Sequence, residues 1–286
     1  MVKIYIPIRE KISLTSTPMT TNKNDHSSKP LIIGHRGASS LVPENTIAAF
    51  RRAIEDGADG IEMDVRLAAD GVPVVFHDAG LKRTAGLKCS ISDLASGDLT
   101  KIDVGSWFRQ SKKEEKKADP AELRIATLDA ALSFLRSFSG IIYIELKCRD
   151  NEIEKLSTAV ARSIRDSGLI DRIIVKSFKL AVLPLIKRDC PTVRTAALFA
   201  PKIMSILRKE KYLVKIAAEM GADEISLHYT LATKKLVSKA EKRGLPVAIW
   251  TADSPRWVKR AIKLGIKTII TNDPSRLIAR RKELVG

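Results

Sequence analysis

Short β-branched runs alternate with amphipathic helical stretches from Leu31 onward, and no other feature of the chain limits its fold so strongly. Nine runs read as strands. They end at LIIGH, GIEMDV, VPVVFH, IIYIELK, IIVKSF, TAALF, EISLH, VAIWT and TIITN. Helical periodicity fills most of the gaps, at 44–56, 127–137, 151–167, 180–188, 233–243 and 254–264. Alternating β and α over about 250 residues predicts a parallel α/β sheet, open or closed. One strand must leave the parallel count. GIEMDV and VPVVFH are joined by RLAADG, with Asp70-Gly71 at its turn. Asp-Gly is a hairpin signal, whereas parallel neighbours need a crossover of a dozen or more residues. The third run is therefore expected to turn back antiparallel. Eight strands remain, and the expected fold is a (β/α)8 barrel with a small insertion after the second strand. Residues 80–126 hold no βα unit and form that insertion. It contains GSWF at 105–108 and the charge run RQSKKEEKK at 109–117, which reads as a solvated loop or helix face.

The barrel is expected over residues 30–286. Residues 1–29 read as a disordered or loosely attached extension, because SLTSTPMTTNKNDHSS is polar and aperiodic. The run IYIPI is too short for a signal peptide's apolar region. No run of 18 apolar residues exists, so no spanning helix is expected. The three cysteines, Cys89, Cys148 and Cys190, have neither metal-knuckle nor disulfide-framework spacing. A reducing compartment, the cytoplasm, is the simpler expectation.

The net charge of +17 is lopsided: residues 179–286 hold 23 Lys and Arg against 9 Asp and Glu. Solvated basic helix faces account for it. The sharper alternative is a surface that attracts anionic ligands or acidic lipid headgroups, a peripheral membrane contact. No aromatic-rich basic stripe is present, so no nucleic-acid partner is expected. Nothing in the sequence names an interface between copies of the chain.

Residues i and i+2 of a strand face the same side. Glu62 and Asp64 therefore point together in IEMDV, and Glu145 and Lys147 do so in YIELK. Bare charges on strands that otherwise read as buried are costly unless they are paired or bind a metal. Three carboxylates at one rim suit a hard divalent cation, Mg2+ or Ca2+. No Cys or His is placed like a zinc ligand. Of the four histidines, His35 and His77 end strands, His26 lies in the N-terminal extension, and His228 reads as a rim residue without a partner motif. In parallel barrels the strands' C-terminal ends carry the site. His35, Arg36, Glu62, Asp64, Glu145 and Lys147 belong there, and His77 joins them if the hairpin folds over the rim. A cation site, two fixed positive groups and two imidazoles suit a phosphate ester, with one histidine taking a proton and the other giving one.

From Leu31 onward the chain resembles the glycerophosphodiester phosphodiesterase family. The resemblance rests on HRGASSLVPENTIAAF, GADGIEMDVRLAADGVPVVFHDAGLKRT, GSWF, RIATLDAAL, IELK, SF, IWTAD and GIKTIITNDP, in that order. It implies a TIM barrel, His35 and His77 as an acid/base pair, and Glu62, Asp64 and Glu145 as metal ligands. It implies Arg36 and Lys147 as phosphate contacts, Glu44 and Asn45 as supporting loop residues, and Trp250 as a wall for the glycerol or alcohol group. The implied reaction hydrolyses a glycerophosphodiester to sn-glycerol 3-phosphate and an alcohol, with a cyclic phosphate as an internal route. Two departures stand out. Asn272 occupies a place where the family often has Asp, and Arg83-Thr84-Ala85-Gly86 is a shortened family pattern. Both are expected to lie on the rim, away from the proposed site. The competing expectations are a lysophospholipase D acting on lysolipids and a non-catalytic phosphate-binding barrel.

Overall fold

A computed structural model describes residues 29–109, 119–203 and 210–285. Its strands are β1 (Leu31–His35), β2 (Gly60–Leu67), β3 (Pro73–Val75), β4 (Ile141–Leu146), β5 (Ile173–Ser177), β6 (Arg194–Phe199), β7 (Glu224–His228), β8 (Val247–Trp250) and β9 (Thr268–Thr271). The principal helices are α1 (Ile47–Glu55), α2 (Leu128–Phe134), α3 (Ile153–Ser167), α4 (Val182–Asp189), α5 (Glu210–Glu219), α6 (Lys234–Glu241), α7 (Arg256–Leu264) and α8 (Pro274–Val285). The sheet runs β1-β9-β8-β7-β6-β5-β4-β2-β3, and β1 also pairs with β2, which closes eight parallel strands into a TIM barrel. β3 pairs antiparallel with β2, Val65 opposite Val75, outside the barrel as the Asp-Gly turn predicts.

The period-2 pattern divides each strand between two environments. Ile61, Met63 and Val65 of β2 face outward into the shell shared with Phe50, Leu128 and Ile164. Inside, Ile33, Tyr143, Ile174, Ala196 and Ile270 form a small apolar plug. The Tyr143 hydroxyl donates to Glu224 Oε2 at 2.9 Å. Side-chain oxygens of Thr46, Thr127 and Thr233 cap α1, α2 and α6 by accepting backbone N–H bonds.

Val74 of β3 and the segment after it build a separate core with Phe76, Leu81, Ile91, Leu99, Val104 and Ile125. It is pinned back onto β2: the Phe76 amide donates to the Asp64 carbonyl at 2.9 Å, and Arg66 Nε donates to the His77 carbonyl at 2.7 Å. The hairpin therefore returns His77 to the rim. Ser106–Arg109 of the GSWF region forms a helical turn. The expected extension (save Lys29) and the charge run (save Arg109) fall outside the described residues. No helix among the described residues is long and apolar enough to cross a membrane.

Candidate active site

The chain leaves β1 through a tight reversal. Arg36 has φ +58° and Gly37 φ +82°. A Cβ on Gly37 would lie 2.5 Å from the backbone of Ala49, so both conformation and space require glycine. The reversal aims the Arg36 amide at Glu62 Oε2, 3.0 Å away. The Arg36 guanidinium reaches Asp64 Oδ2 at 2.9 Å and Glu44 Oε1 at 2.8 Å. Asn45 also takes a left-handed conformation, φ +57°, which Asn tolerates better than most residues. Its amide nitrogen donates to Asp64 Oδ2 at 3.0 Å, and its oxygen accepts from the Asp64 amide at 3.1 Å. Glu44 and Asn45 thus brace the residues beneath them.

Glu62, Asp64 and Glu145 are buried on the inward face, with Asp64 opposite Glu145 across the β2–β4 pairing. Each offers an oxygen within 4.8 Å of the others. Lys147 Nζ lies 3.3 Å from Asp64 Oδ1 and also contacts Glu145. The structure adds Lys176, a site residue that the sequence reading misses. It is 1% exposed and stands opposite Glu145 on β5, with Nζ 2.9 Å from Glu62 Oε1 and 3.8 Å from Glu145 Oε2. The signal was available, since a lysine inside IIVKS obeys the rule that exposes Glu62 and Asp64.

The charges interlock. Burial opposes ionisation of Asp64, but Lys147 and Arg36 outweigh it and hold its pKa below the ordinary value. Burial likewise disfavours ionised Glu62, and Lys176 reverses the shift. At Glu145 burial and the Asp64 charge prevail, and its pKa is pushed up to about 7. Three buried carboxylates converge in a space balanced by the Lys147 and Lys176 ammonium groups and the Arg36 guanidinium. This all-oxygen donor set fits Mg2+ or Ca2+.

The hairpin brings His77 to this rim, where Arg66 Nε donates to its carbonyl. Its Nδ1 is 2.6 Å from Asp78 Oδ1. Arg83 Nε donates to Asp78 Oδ2 at 2.6 Å, and Arg83 also pairs with Glu44. His35 is the other imidazole; burial, the largest influence, lowers its pKa. Its Nδ1 is 2.7 Å from Asn272 Oδ1. Both sequence departures expected to lie away from the site therefore touch it. Asn272 contacts His35, and Arg83 contacts the partner of His77. The Asn272–His35 contact spans 237 positions, so spacing could not reveal it; the Arg83–Asp78 contact spans five.

Trp250 ends β8, with Phe178 at 5.5 Å and His228 at 5.3 Å in edge-to-face contact. The buried Trp250 Nε1 has no hydrogen-bond partner. Lys147 Nζ sits 5.6 Å over the Phe178 ring. This places an aromatic wall beside the charged cluster. His228 belongs to that wall, and its Nδ1 meets Thr230 Oγ1 at 2.7 Å. A cleft of about 430 Å³ is lined by His35 together with Arg36, Ser39, Asp253, Asn272 and Arg276 among others.

Residues 35–276 match the profile of the glycerophosphoryl diester phosphodiesterase family. The chain belongs to that family. A glycerophosphodiester phosphodiesterase from Caldanaerobacter subterraneus subsp. tengcongensis is 33% identical over 250 residues, covering 87% of this chain and 97% of the relative. The crystal structure of a glycerophosphodiester phosphodiesterase from Agrobacterium tumefaciens superposes with TM-score 0.70 at 27% identity, over 87% of this chain and 99% of that one. An Oleispira antarctica phosphodiesterase, solved in complex with the product sn-glycerol-3-phosphate, shares the fold with TM-score 0.77 at 22% identity, over 89% of this chain and 97% of that one.

Proposed function

We propose that this glycerophosphodiester phosphodiesterase-family chain hydrolyses glycerophosphodiesters to sn-glycerol 3-phosphate and an alcohol, with a divalent cation held by Glu62, Asp64 and Glu145. The observation that carries the reading is the convergence of those carboxylates with Arg36, Lys147 and two separately anchored histidines at one barrel rim. When bound, the cation supplies Lewis-acid neutralisation of phosphate charge. Arg36 and Lys147 contact the phosphate oxygens and orient the ester. One histidine takes the proton of the attacking hydroxyl, and the other gives a proton to the departing alcohol oxygen.

In the internal route the glycerol 2-hydroxyl forms the new P–O bond as the bond to the alcohol breaks. Water then opens the cyclic phosphate, and the two histidines exchange roles. Trp250 and Phe178 wall the alcohol or glycerol side. The free cysteines support a reducing compartment, the cytoplasm.

Phe178 is 43% exposed beside this rim, which favours a second reading, a lysophospholipase D whose lysolipid chain leaves over that ring. Turnover of lysolipid against glycerophosphocholine separates the two. The complete ionisable set argues against a non-catalytic phosphate-binding barrel, and cation-dependent release of glycerol 3-phosphate would exclude it.

A further inference from the structure

Asn272 lies just beyond β9, at the centre of a directed hydrogen-bond chain. Its backbone amide donates to Asp253 Oδ1 at 2.8 Å, and its side-chain nitrogen donates to Asp253 Oδ2 at 2.9 Å. Thr271 Oγ1 donates to Asp253 Oδ1 at 2.9 Å. A carboxylate only accepts, so Asp253 fixes which end of the Asn272 amide faces it. The amide oxygen is thereby turned toward His35 Nδ1 at 2.7 Å and the Ser39 hydroxyl at 2.9 Å. An amide oxygen cannot donate, so a short contact to it requires the proton on His35 Nδ1. The other ring nitrogen, Nε2, is 4.0 Å from Glu62 Oε2, too far for a hydrogen bond.

We propose that Asn272, oriented by Asp253, is a positioning residue that holds neutral His35 as the Nδ1–H tautomer, so that a bare Nε2 faces the phosphodiester site. A neutral imidazole free in water prefers the opposite tautomer, with its proton on Nε2. The network overrides that preference and also fixes the ring plane. The two histidines are thus anchored differently, His35 by a neutral amide and His77 by the Asp78 carboxylate. His35 meets the attacking hydroxyl with a lone pair ready to accept. The kinetic consequence rests on the proposed hydrolysis; the tautomer does not.

The test combines 15N nuclear magnetic resonance of histidine-labelled protein with steady-state kinetics. Spectra are recorded at mildly alkaline pH in Mg2+, and His35 is assigned by its loss in His35→Gln. In the wild-type protein the His35 signals should show Nδ1 protonated and Nε2 bare. Asn272→Ala should return His35 to an Nε2–H or mixed state and lower kcat about 10- to 100-fold with little change in KM. The exchanged pair Asn272→Asp with Asp253→Asn keeps an acceptor facing His35, and should restore the Nδ1–H tautomer and most of kcat. A merely structural role would lower kcat in Asn272→Ala without moving the tautomer, and that result would overturn the proposal. A wild-type His35 protonated on Nε2 would overturn it directly. An Nδ1–H tautomer in a protein that releases no glycerol 3-phosphate would support the positioning role and contradict the hydrolysis reading alone.

Discussion

Lys176 Nζ stands 2.9 Å from Glu62 Oε1 inside the barrel, and both side chains are almost wholly shielded from water. Such a pair is costly to break, because the survivor is left as an uncompensated buried charge. Lys176→Met is expected to destabilise the fold by about 3–5 kcal/mol in EDTA. A cation bound at Glu62, Asp64 and Glu145 would replace part of the missing charge, so Mg2+ or Ca2+ should recover part of that loss. Thermal unfolding with and without cation checks this. An equal loss in both conditions would contradict it.

The carboxylates themselves give a second test. A ligand that binds only the folded state stabilises by mass action, about 2.7 kcal/mol at a hundredfold excess over Kd. Wild-type protein should show a cation-dependent rise in Tm. Asp64→Asn and Glu145→Gln should each abolish most of that rise, while Asp70→Asn, on the exposed hairpin turn, should keep it.

Much of this site is legible in the chain because strand geometry is local. Glu62, Asp64 and Glu145 announce themselves by period two within apolar runs, and the Asp70-Gly71 turn removes β3 from the barrel count. Lys176 obeys the same period but has no charged neighbour two places away. Its partners lie on the neighbouring β4 and on β2 beyond it, 31 and 114 residues earlier at Glu145 and Glu62. Asn272 is harder still, since its contact with His35 spans 237 positions and forms only when the first and last strands meet. Arg83 looks peripheral because its two acidic partners, Glu44 and Asp78, come from different loops.

The histidine on the hairpin should depend on those partners. Asp78 holds His77 Nδ1 at 2.6 Å, and Arg83 holds Asp78. Asp78→Asn is expected to lower kcat about 10- to 100-fold, as losses of orienting partners commonly do. Arg83→Met should act in the same direction and more weakly, because the His77–Asp78 contact survives it. Steady-state kinetics on both variants checks the order; a larger loss in Arg83→Met would contradict it.

At the other end of the barrel, burial pushes the Glu224 carboxyl up to about 7 from an ordinary 4.5, against the hydrogen bond from Tyr143. The folded state keeps a proton that the unfolded chain has already released. The stability contributed by this group is therefore full below the unfolded pKa and is lost as pH rises through the folded one. Wild-type protein should lose at most about 3 kcal/mol from this source between mildly acidic and mildly alkaline pH. Glu224→Gln should flatten that decline. Denaturant midpoints measured across the range check it; parallel declines in the two proteins would contradict it.

The central claim is tested most directly by release of glycerol 3-phosphate from glycerophosphocholine and glycerophosphoethanolamine in Mg2+, in Ca2+ and in EDTA, beside His35→Ala. The expected result is release that needs the cation and falls about 10²- to 10⁴-fold without the imidazole. Release that persists undiminished in EDTA or in His35→Ala, or no release from either substrate under any condition, would contradict it.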